Sequence, residues 1–328
     1  VRWCSIRNLK ILHIHGNGMS LVVTLRCLAI FLVLSLGIGT LNIQDMYFEP
    51  ANAQLDINTN YDTINSNSSQ NNLSLITNLL AKNLENRIQK AGAILEITSK
   101  LPQVRDVHDA HLLNQTLNTL HGIPQYADIE KRQVVKNILS SNNDLYEIFL
   151  LLPNGDMYFL EPYSIQQGLT LNNFAFRDYY QGAIKTNDTY LGNMHTTAAA
   201  SGASTAKIAV PVYSLTDNST IVGVWASSID FGVLNKELQS LNLTSLEDST
   251  RIVYVDSKGQ KIADSDINKS TIPESFSNLT GFKDAIGGQI GSTVDTIDNT
   301  KVLVAYQPVN TFHNTWVVLL MQLSLPPE

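Results

Sequence analysis

The chain has 328 residues, of which 44% are hydrophobic and 16% charged, and this composition describes a globular protein with room for about two domains. Residues 1–44 carry four Lys and Arg and no acid, whereas the rest carries 18 Lys and Arg against 29 Asp and Glu. This acidic body has no cluster of basic residues, which argues against a nucleic-acid partner. Both cysteines, Cys4 and Cys27, precede the body, so it contains neither disulfides nor thiolate metal sites.

An uncharged, apolar run occupies residues 27–44, behind a basic N-terminal segment at residues 1–26. Its length is close to the roughly 17–25 residues of a membrane-spanning helix, and its basic flank predicts a cytoplasmic N-terminus. We interpret the run as an uncleaved signal anchor. The alternative is a signal peptide that starts at Met19 and is cleaved near Ala53, after Ala51-Asn-Ala53. Both interpretations predict that the body lies outside the cytoplasmic membrane.

A polar stretch at residues 45–72 predicts a linker, and residues 73–140 predict a long helix with a helical connector. In the first 28 residues of that region, apolar side chains recur every three or four positions, which predicts one buried stripe on one helix. Two shorter helical patterns follow near residues 105–120 and 127–140. The stripe consists of Leu73, Ile76, Leu79, Leu80, Leu84, Ile88, Ala91 and Leu95.

Strand patterns begin near residue 145 and indicate two consecutive modules, at residues 141–232 and 233–325. The first contains a strand–turn–strand unit at 145–160, a short run at 189–192, and β-rich runs at 206–213 and 221–229. The last two runs predict the central hairpin of an antiparallel sheet. After a helix near 231–241, the second module repeats this order with a strand–turn–strand unit at 250–263 and strands at 291–297, 301–308 and 316–322. We interpret the recurrence as an internal structural duplication in an α+β fold.

The stretch from Phe174 to Ala183 sets one fixed cation, Arg177, beside Tyr179 and Tyr180, where an extended segment turns into a helix. A guanidinium offers a planar fork of donors that suits a carboxylate, and tyrosine adds apolar area and a hydroxyl. This pattern predicts a site for a small ligand. Three further candidates follow along the chain, namely Tyr190, His195 and Asp230.

The order of these elements resembles the double Cache family, the extracytoplasmic sensor domains of chemoreceptors and histidine kinases. The resemblance covers about residues 73–325 and is carried by Phe174-x-x-Arg177-Asp178-Tyr179-Tyr180-x-x-Ala183 and by the strands at 208–213 and 223–230. It implies an α+β fold with a long N-terminal helix and two tandem PAS-like modules, each a mainly antiparallel sheet with flanking helices. It also implies that the ligand binds in the membrane-distal module, at residues 141–232.

Amino-acid binders of that family carry a sharper pattern, Tyr-x-x-Arg-x-Trp-Tyr-x-x-Ala, then Tyr-x-Asp, then a separate Asp. Arg177, Tyr180 and Ala183 match it, and Asp230 stands at the place of the late Asp. Phe174 and Tyr179 replace the first Tyr and the Trp, and His195-Thr-Thr197 stands near the place of Tyr-x-Asp. The resemblance implies that Arg177 holds a carboxylate and Asp230 an ammonium, so the ligand is an amino acid or another small carboxylate. The ligand-binding residues implied are Phe174, Arg177, Tyr179, Tyr180, Tyr190, His195, Thr197 and Asp230.

The key residues also have structural explanations. Arg177 could pair with Asp178, Asp230 could cap a helix, and His195 could be a plain loop residue. Three function classes stay open: a sensing or free-standing binding domain, a secreted enzyme with His195 and Asp230 as acid and base, and a structural tether. We favour a non-enzymatic sensing domain that binds a small molecule and needs no cofactor or metal. Its other expected partners are the membrane, through the N-terminal helix, and a second copy, through the long helix.

Overall fold

The computed structural model describes residues 69–199, 204–241 and 250–323, which form an α+β fold with two five-stranded antiparallel sheets. This confirms the predicted fold class. These residues all belong to one compact unit, Gln54–Glu328. The predicted membrane span at 27–44 and both cysteines lie outside the described residues. Within the described ranges, no helix combines the length and the apolarity that a membrane span requires.

The described chain runs from a helical region into the two sheet modules. The helical region comprises α1 (Ser69–Thr98), α2 (Pro102–Arg105), a 3-10 helix (His108–Leu112), α3 (Leu113–Leu120) and α4 (Ile129–Ser141). The first module comprises β1 (Leu145–Leu151), β2 (Met157–Glu161), α5 (Tyr163–Gln167), α6 (Asp178–Thr186), β3 (Tyr190–Leu191), β4 (His195–Thr196), β5 (Ser204–Thr205), β6 (Lys207–Tyr213) and β7 (Ile221–Ile229). The second comprises α7 (Phe231–Ser240), β8 (Arg251–Val255), β9 (Lys261–Asp264), α8 (Thr280–Ile286), β10 (Gly291–Ile297), β11 (Thr300–Thr311) and β12 (Asn314–Leu323).

Helix α1 packs against both sheets through one apolar stripe. Seven of the eight predicted stripe residues are buried, and only Leu79 is half-exposed. They share one core with Trp225 of the first sheet and Trp316 of the second. Burial of a large apolar side chain contributes about 1.5–3 kcal/mol, so this stripe is a main source of stability for both modules.

The helical connector departs from the predicted pattern. The expected helix near 105–120 begins only at His108, because Asp106 adopts an extended backbone that ends α2, and its first part is a 3-10 helix that continues into α3. Helix α1 ends at Thr98, and Pro102 opens α2. Proline is tolerated at the start of a helix, where its missing N–H would have no partner in any case.

The two sheets have the same topology. Their strand orders are β2-β1-β7-β6-β3 and β9-β8-β12-β11-β10, so each strand of the first sheet has a counterpart at the same place in the second. The turns also correspond, because Gly155 N–H donates to the Leu152 carbonyl and Gly259 N–H donates to the Asp256 carbonyl. The predicted duplication is therefore present in the strand order, and the hairpin of β6 and β7 lies at the centre of its sheet.

We predict that Gly155→Ala destabilises the protein more than Gly288→Ala does. Both glycines have φ of +86°, which costs a residue with a Cβ about 1–2 kcal/mol. A Cβ on Gly155 would lie 2.6 Å from the Ala175 backbone nitrogen, whereas nothing lies within 4 Å of one on Gly288. Urea denaturation should show an additional loss of at least about 1 kcal/mol for Gly155→Ala. Equal losses for the two variants would contradict the close packing of this turn.

Candidate ligand-binding site

The outer face of the first sheet carries a polar row at one end and small side chains beside it. Ser228 of β7 is in register with Glu147 of β1 on one side and with Lys207 of β6 on the other. Two residues earlier in β7, Ala226 is in register with Phe149 of β1 and with Ala209 of β6. Because alternate residues of a strand point to one side, both rows lie on the face turned away from α1. The small side chains of Ala209 and Ala226 belong to one buried cluster with Tyr179 of α6.

The polar row is a buried ion pair. The Lys207 ammonium lies 2.7 Å from Glu147 Oε1, and the Ser228 hydroxyl donates to the same oxygen at 2.7 Å. All three residues are at most 5% exposed. Burial raises the pKa of Glu147, but the Lys207 charge and the two hydrogen bonds outweigh burial and hold that pKa below its ordinary value. The carboxylate is therefore ionised and paired.

Arg177 stands at the N-cap of α6, in an extended conformation. Its Nη2 donates to the Thr196 carbonyl at 3.2 Å, and its buried Nε has no hydrogen-bond partner among the described residues. The neighbouring Asp178 does not pair with it, because its two oxygens accept the backbone N–H groups of Tyr179 and Asn193. The guanidinium thus keeps donor capacity at the edge of the sheet.

Tyr179 and His195 form a stacked pair over the sheet. Their ring centres are 5.6 Å apart, and Tyr179 also meets Phe149 edge-on at 6.0 Å. His195 Nδ1 lies 3.1 Å from the Asn193 carbonyl, which can only accept, so Nδ1 carries the hydrogen. Burial, and after it the positive charge of Lys207, lowers the pKa of His195 to about 4. His195 is therefore neutral at pH 7, with Nε2 as an acceptor.

These groups line one small cavity. Five of the predicted site residues lie on it, namely Phe174, Arg177, Tyr179, His195 and Thr197, together with Glu147 and Lys207. Apolar side chains complete the lining, among them Met157, Leu160 and Leu169. The volume of about 10 Å³ is close to the lower limit for one water molecule. The residues of the candidate site are thus packed against one another.

The other three predicted residues are not on the cavity lining. The Tyr180 hydroxyl donates to the Pro153 carbonyl at 2.6 Å. The Tyr190 ring packs against Gly182 of α6, where an added Cβ would lie 2.3 Å from it. Asp230 caps α7, with its side chain accepting the N–H groups of Gly232 and Val233. The structure therefore does not bring Asp230 together with Arg177 around the cavity.

Sequence reasoning missed Glu147, Lys207 and Ser228. The available signal was a charged residue inside each of two apolar strand runs, since a buried charge needs a partner. The sequence could not show that these two charges are partners. They lie 60 residues apart and meet only through β7, which follows both of them in the chain.

The segment before His195 is bonded to the second module. Met194 N–H donates to Asp256 Oδ2 at 2.9 Å, and the Ser257 hydroxyl donates to the Asn193 side chain at 2.6 Å. Asn314, the first residue of β12, donates to the Leu191 carbonyl at 2.8 Å. Two hairpins of the second module thus hold the strand that leads into the cavity.

A wider, open cleft of about 570 Å³ lies in the helical connector and has several acidic side chains. Its acids already serve the fold: Asp109 accepts the backbone N–H of Asp128, and Asp128 accepts from Tyr158 and pairs with Lys131. Within the described residues, no group of His, Cys, Asp and Glu is arranged to hold a metal ion. We therefore take the smaller cavity, with its buried charges, as the candidate site.

Comparison with known proteins identifies relatives of the whole described region. The family model of the Cache domain matches residues 60–324. No curated protein matches the chain.

Three solved structures have a similar fold at 15% sequence identity. The ligand-binding domain of the Pseudomonas fluorescens chemoreceptor CtaA, in complex with L-isoleucine, gives a TM-score of 0.51 and covers 84% of this chain and 97% of its own. The extracellular domain of the putative histidine kinase rpHK1S-Z16 gives 0.57, with 78% and 93% covered. The periplasmic sensory domain of the Campylobacter jejuni chemoreceptor Tlp1 gives 0.52, with 82% and 97% covered.

We predict that His195 makes the folded state less stable in acid. The side chain titrates near 6.5 when exposed and near 4 in the folded protein, so between these values the unfolded chain binds more protons. The contribution of neutral His195 to the free energy of unfolding is complete above pH 6.5 and is lost as the pH falls towards 4. The loss is about 1.4 kcal/mol per unit of pKa difference, or about 3 kcal/mol in all. Urea denaturation between pH 6.5 and pH 4 should show that the free energy of unfolding declines less steeply for His195→Asn than for the unmodified protein. The exposed control His111→Asn should follow the unmodified protein, and an unchanged slope in His195→Asn would contradict the prediction.

Proposed function

The chain belongs to the Cache domain family, and on that premise we propose that it is an extracytoplasmic sensing domain that binds an amino acid or another small carboxylate in its first sheet module. The observation that carries this proposal is the buried Nε–H of Arg177, which has no partner among the described residues. A buried donor without an acceptor costs roughly 1–3 kcal/mol, and a carboxylate would satisfy it together with the neighbouring Nη groups. The cavity beside Arg177 is where such a group would bind.

A comparison of the two modules supports the first as the ligand-binding one. Leu279 precedes α8 as Arg177 precedes α6, with equivalent backbone bonds to Phe276 and Phe174. By register, the polar row Glu147–Ser228–Lys207 corresponds to Arg251–Met321–Val304 in the second module. The second module therefore has no guanidinium at the helix start and only one polar residue in the row, Arg251, which pairs with Asp264 and Glu274.

The packing on the outer face also differs between the two modules. Ala209 corresponds by register to Tyr306, and Tyr179 of α6 corresponds by its distance from the helix start to Gly281 of α8. In the second module the sheet supplies the large side chain, and a Cβ on Gly281 would lie 2.9 Å from Tyr306. In the first module the helix supplies it, as Tyr179 stacked on His195. The large side chain thus belongs to the helix in the first module and to the sheet in the second.

Ligand binding at this cavity would require a conformational change. Pockets for small molecules usually enclose roughly 300–1,000 Å³, far more than the cavity has here. Tyr179 and His195 would have to separate from the sheet or from each other. A ligand that binds one arrangement more tightly shifts the population towards it, which is the basis of sensing.

The remaining parts of the proposal concern organisation and partners. We place an anchor at 27–44, a linker at 45–72, the long helix and connector at 73–140, the membrane-distal module at 141–232 and the membrane-proximal module at 233–325. The membrane would be contacted through the anchor, and a second copy along α1. A free-standing binding protein is the alternative. An enzyme with His195 and Asp230 as acid and base has less support, because Asp230 caps α7.

We predict that small carboxylates or amino acids stabilise the full chain, purified in mild detergent, in a thermal-unfolding screen. A ligand at 100 times its dissociation constant adds about 2.7 kcal/mol. Arg177→Ala should weaken binding on the order of 10–100-fold, because a hydrogen bond to a charged group contributes about 1.5–3 kcal/mol.

Two control variants accompany this screen. Tyr180→Phe changes a hydroxyl that is off the cavity lining, and Tyr306→Phe changes the second module, so both should keep the response. Absence of any stabilising compound, or full binding by Arg177→Ala, would refute the proposed function.

A further inference from the structure

The cavity lining carries more positive than negative charge. Arg177 and Lys207 are cationic, Glu147 is anionic, and no other acidic or basic side chain except the neutral His195 lies on it. The lining itself therefore carries one net positive charge, and the nearby Asp178, which acts on His195 from off the lining, already accepts two backbone N–H groups. A buried charge without a counter-charge is unfavourable, so the balance favours a ligand with one negative charge.

The one carboxylate on the cavity lining, that of Glu147, is already neutralised, because its Oε1 accepts from Lys207 and Ser228. Glu147 pairs with Lys207, the oxygens of Asp178 accept two backbone N–H groups, and Asp230 caps α7. A ligand ammonium that reached Glu147 would lie beside the Lys207 ammonium, and like charges repel strongly where water is excluded. An α-amino acid would thus bring a cation to a site that already has a surplus of them.

His195 is compatible with the same electrostatic preference. Burial is the main cause of its low pKa, and the charges of Lys207 and, more weakly, Arg177 add to it, against an opposite effect of Asp178. Its neutral Nε2 can instead accept a hydrogen bond from a ligand hydroxyl. Apart from the hydroxyl groups of Tyr179 and Thr197, the rest of the lining is apolar and includes Phe149, Met157 and Leu169.

Resting on the proposed function, we infer that the ligand is a small monocarboxylate without an ammonium group, either a plain or a 2-hydroxy acid with a compact apolar body. Arg177 binds the carboxylate, and Lys207 is the specificity residue that excludes amino acids by occupying Glu147. A dicarboxylate is disfavoured because its second charge would compete with Glu147 for Lys207.

Isothermal titration of the full chain in mild detergent at pH 7 tests this ligand class. Two matched sets share their carbon skeletons: propionate, L-lactate and L-alanine, and 4-methylpentanoate, 2-hydroxy-4-methylpentanoate and L-leucine, with succinate as the dicarboxylate. In at least one set, the plain or hydroxy acid should bind at least ten-fold more tightly than the amino acid and than succinate. If an amino acid binds equally well or better, the inference is wrong while the proposed function stands. If none of these compounds binds and the wider screen is also negative, both are wrong.

A pair of variants tests the role of Lys207. Lys207→Met frees Glu147 and should weaken acid binding at least ten-fold while reversing the preference towards the amino acid. Glu147→Gln adds a net positive charge, so acid binding should be kept and succinate should gain several-fold. The exposed control Lys185→Met should change neither preference.

Unchanged selectivity in both site variants would overturn the role of Lys207. Thermal unfolding without ligand reports whether each variant folds. If Lys207→Met does not fold, the succinate affinity of Glu147→Gln and the acid preference of the unmodified protein still test the inference.

Discussion

The apolar stripe of α1 is the constraint on which the arrangement of both modules depends. A single 30-residue helix packs against both sheets, and Leu84 and its stripe neighbours share one core with Trp225 and Trp316. Each sheet therefore has one face committed to α1 and one face left for its own helix. The candidate site lies on such an outer face, so α1 fixes the sheet beneath the site without contributing a side chain to the cavity.

The two modules show how one topology can hold two different outer faces. The first contains a buried ion pair and small residues beneath Tyr179. In the second, Tyr306 and Leu319 replace the small residues, and Arg251, Met321 and Val304 replace the polar row. A buried ion pair contributes little net stability, because desolvation offsets much of the attraction. The polar row is therefore weakly explained by stability, which agrees with the role in ligand selectivity that we propose for it.

The sequence predicted the fold well because its signals are local or periodic. The stripe of α1 follows the helical repeat, and the two strand–turn–strand units each contain a glycine at the turn. The site was predicted only in part. Tyr179 and Tyr180 are neighbours, and only tertiary packing decides that the first lines the cavity while the second bonds to Pro153. Asp230 stands at a strand end, where a ligand contact and a helix cap look alike in sequence.

The hydrogen bonds between Met194 and Asp256, and between Asn193 and Ser257, attach the segment before His195 to the second module. Thermodynamic linkage is reciprocal: if a ligand at the cavity alters the affinity of any partner for the β8–β9 turn, that partner alters the affinity for the ligand by the same factor. A partner bound to the turn that contains Asp256 would therefore change the affinity for the ligand without touching the cavity. Substitutions in the β8–β9 turn would then change the ligand affinity at residues far from Arg177.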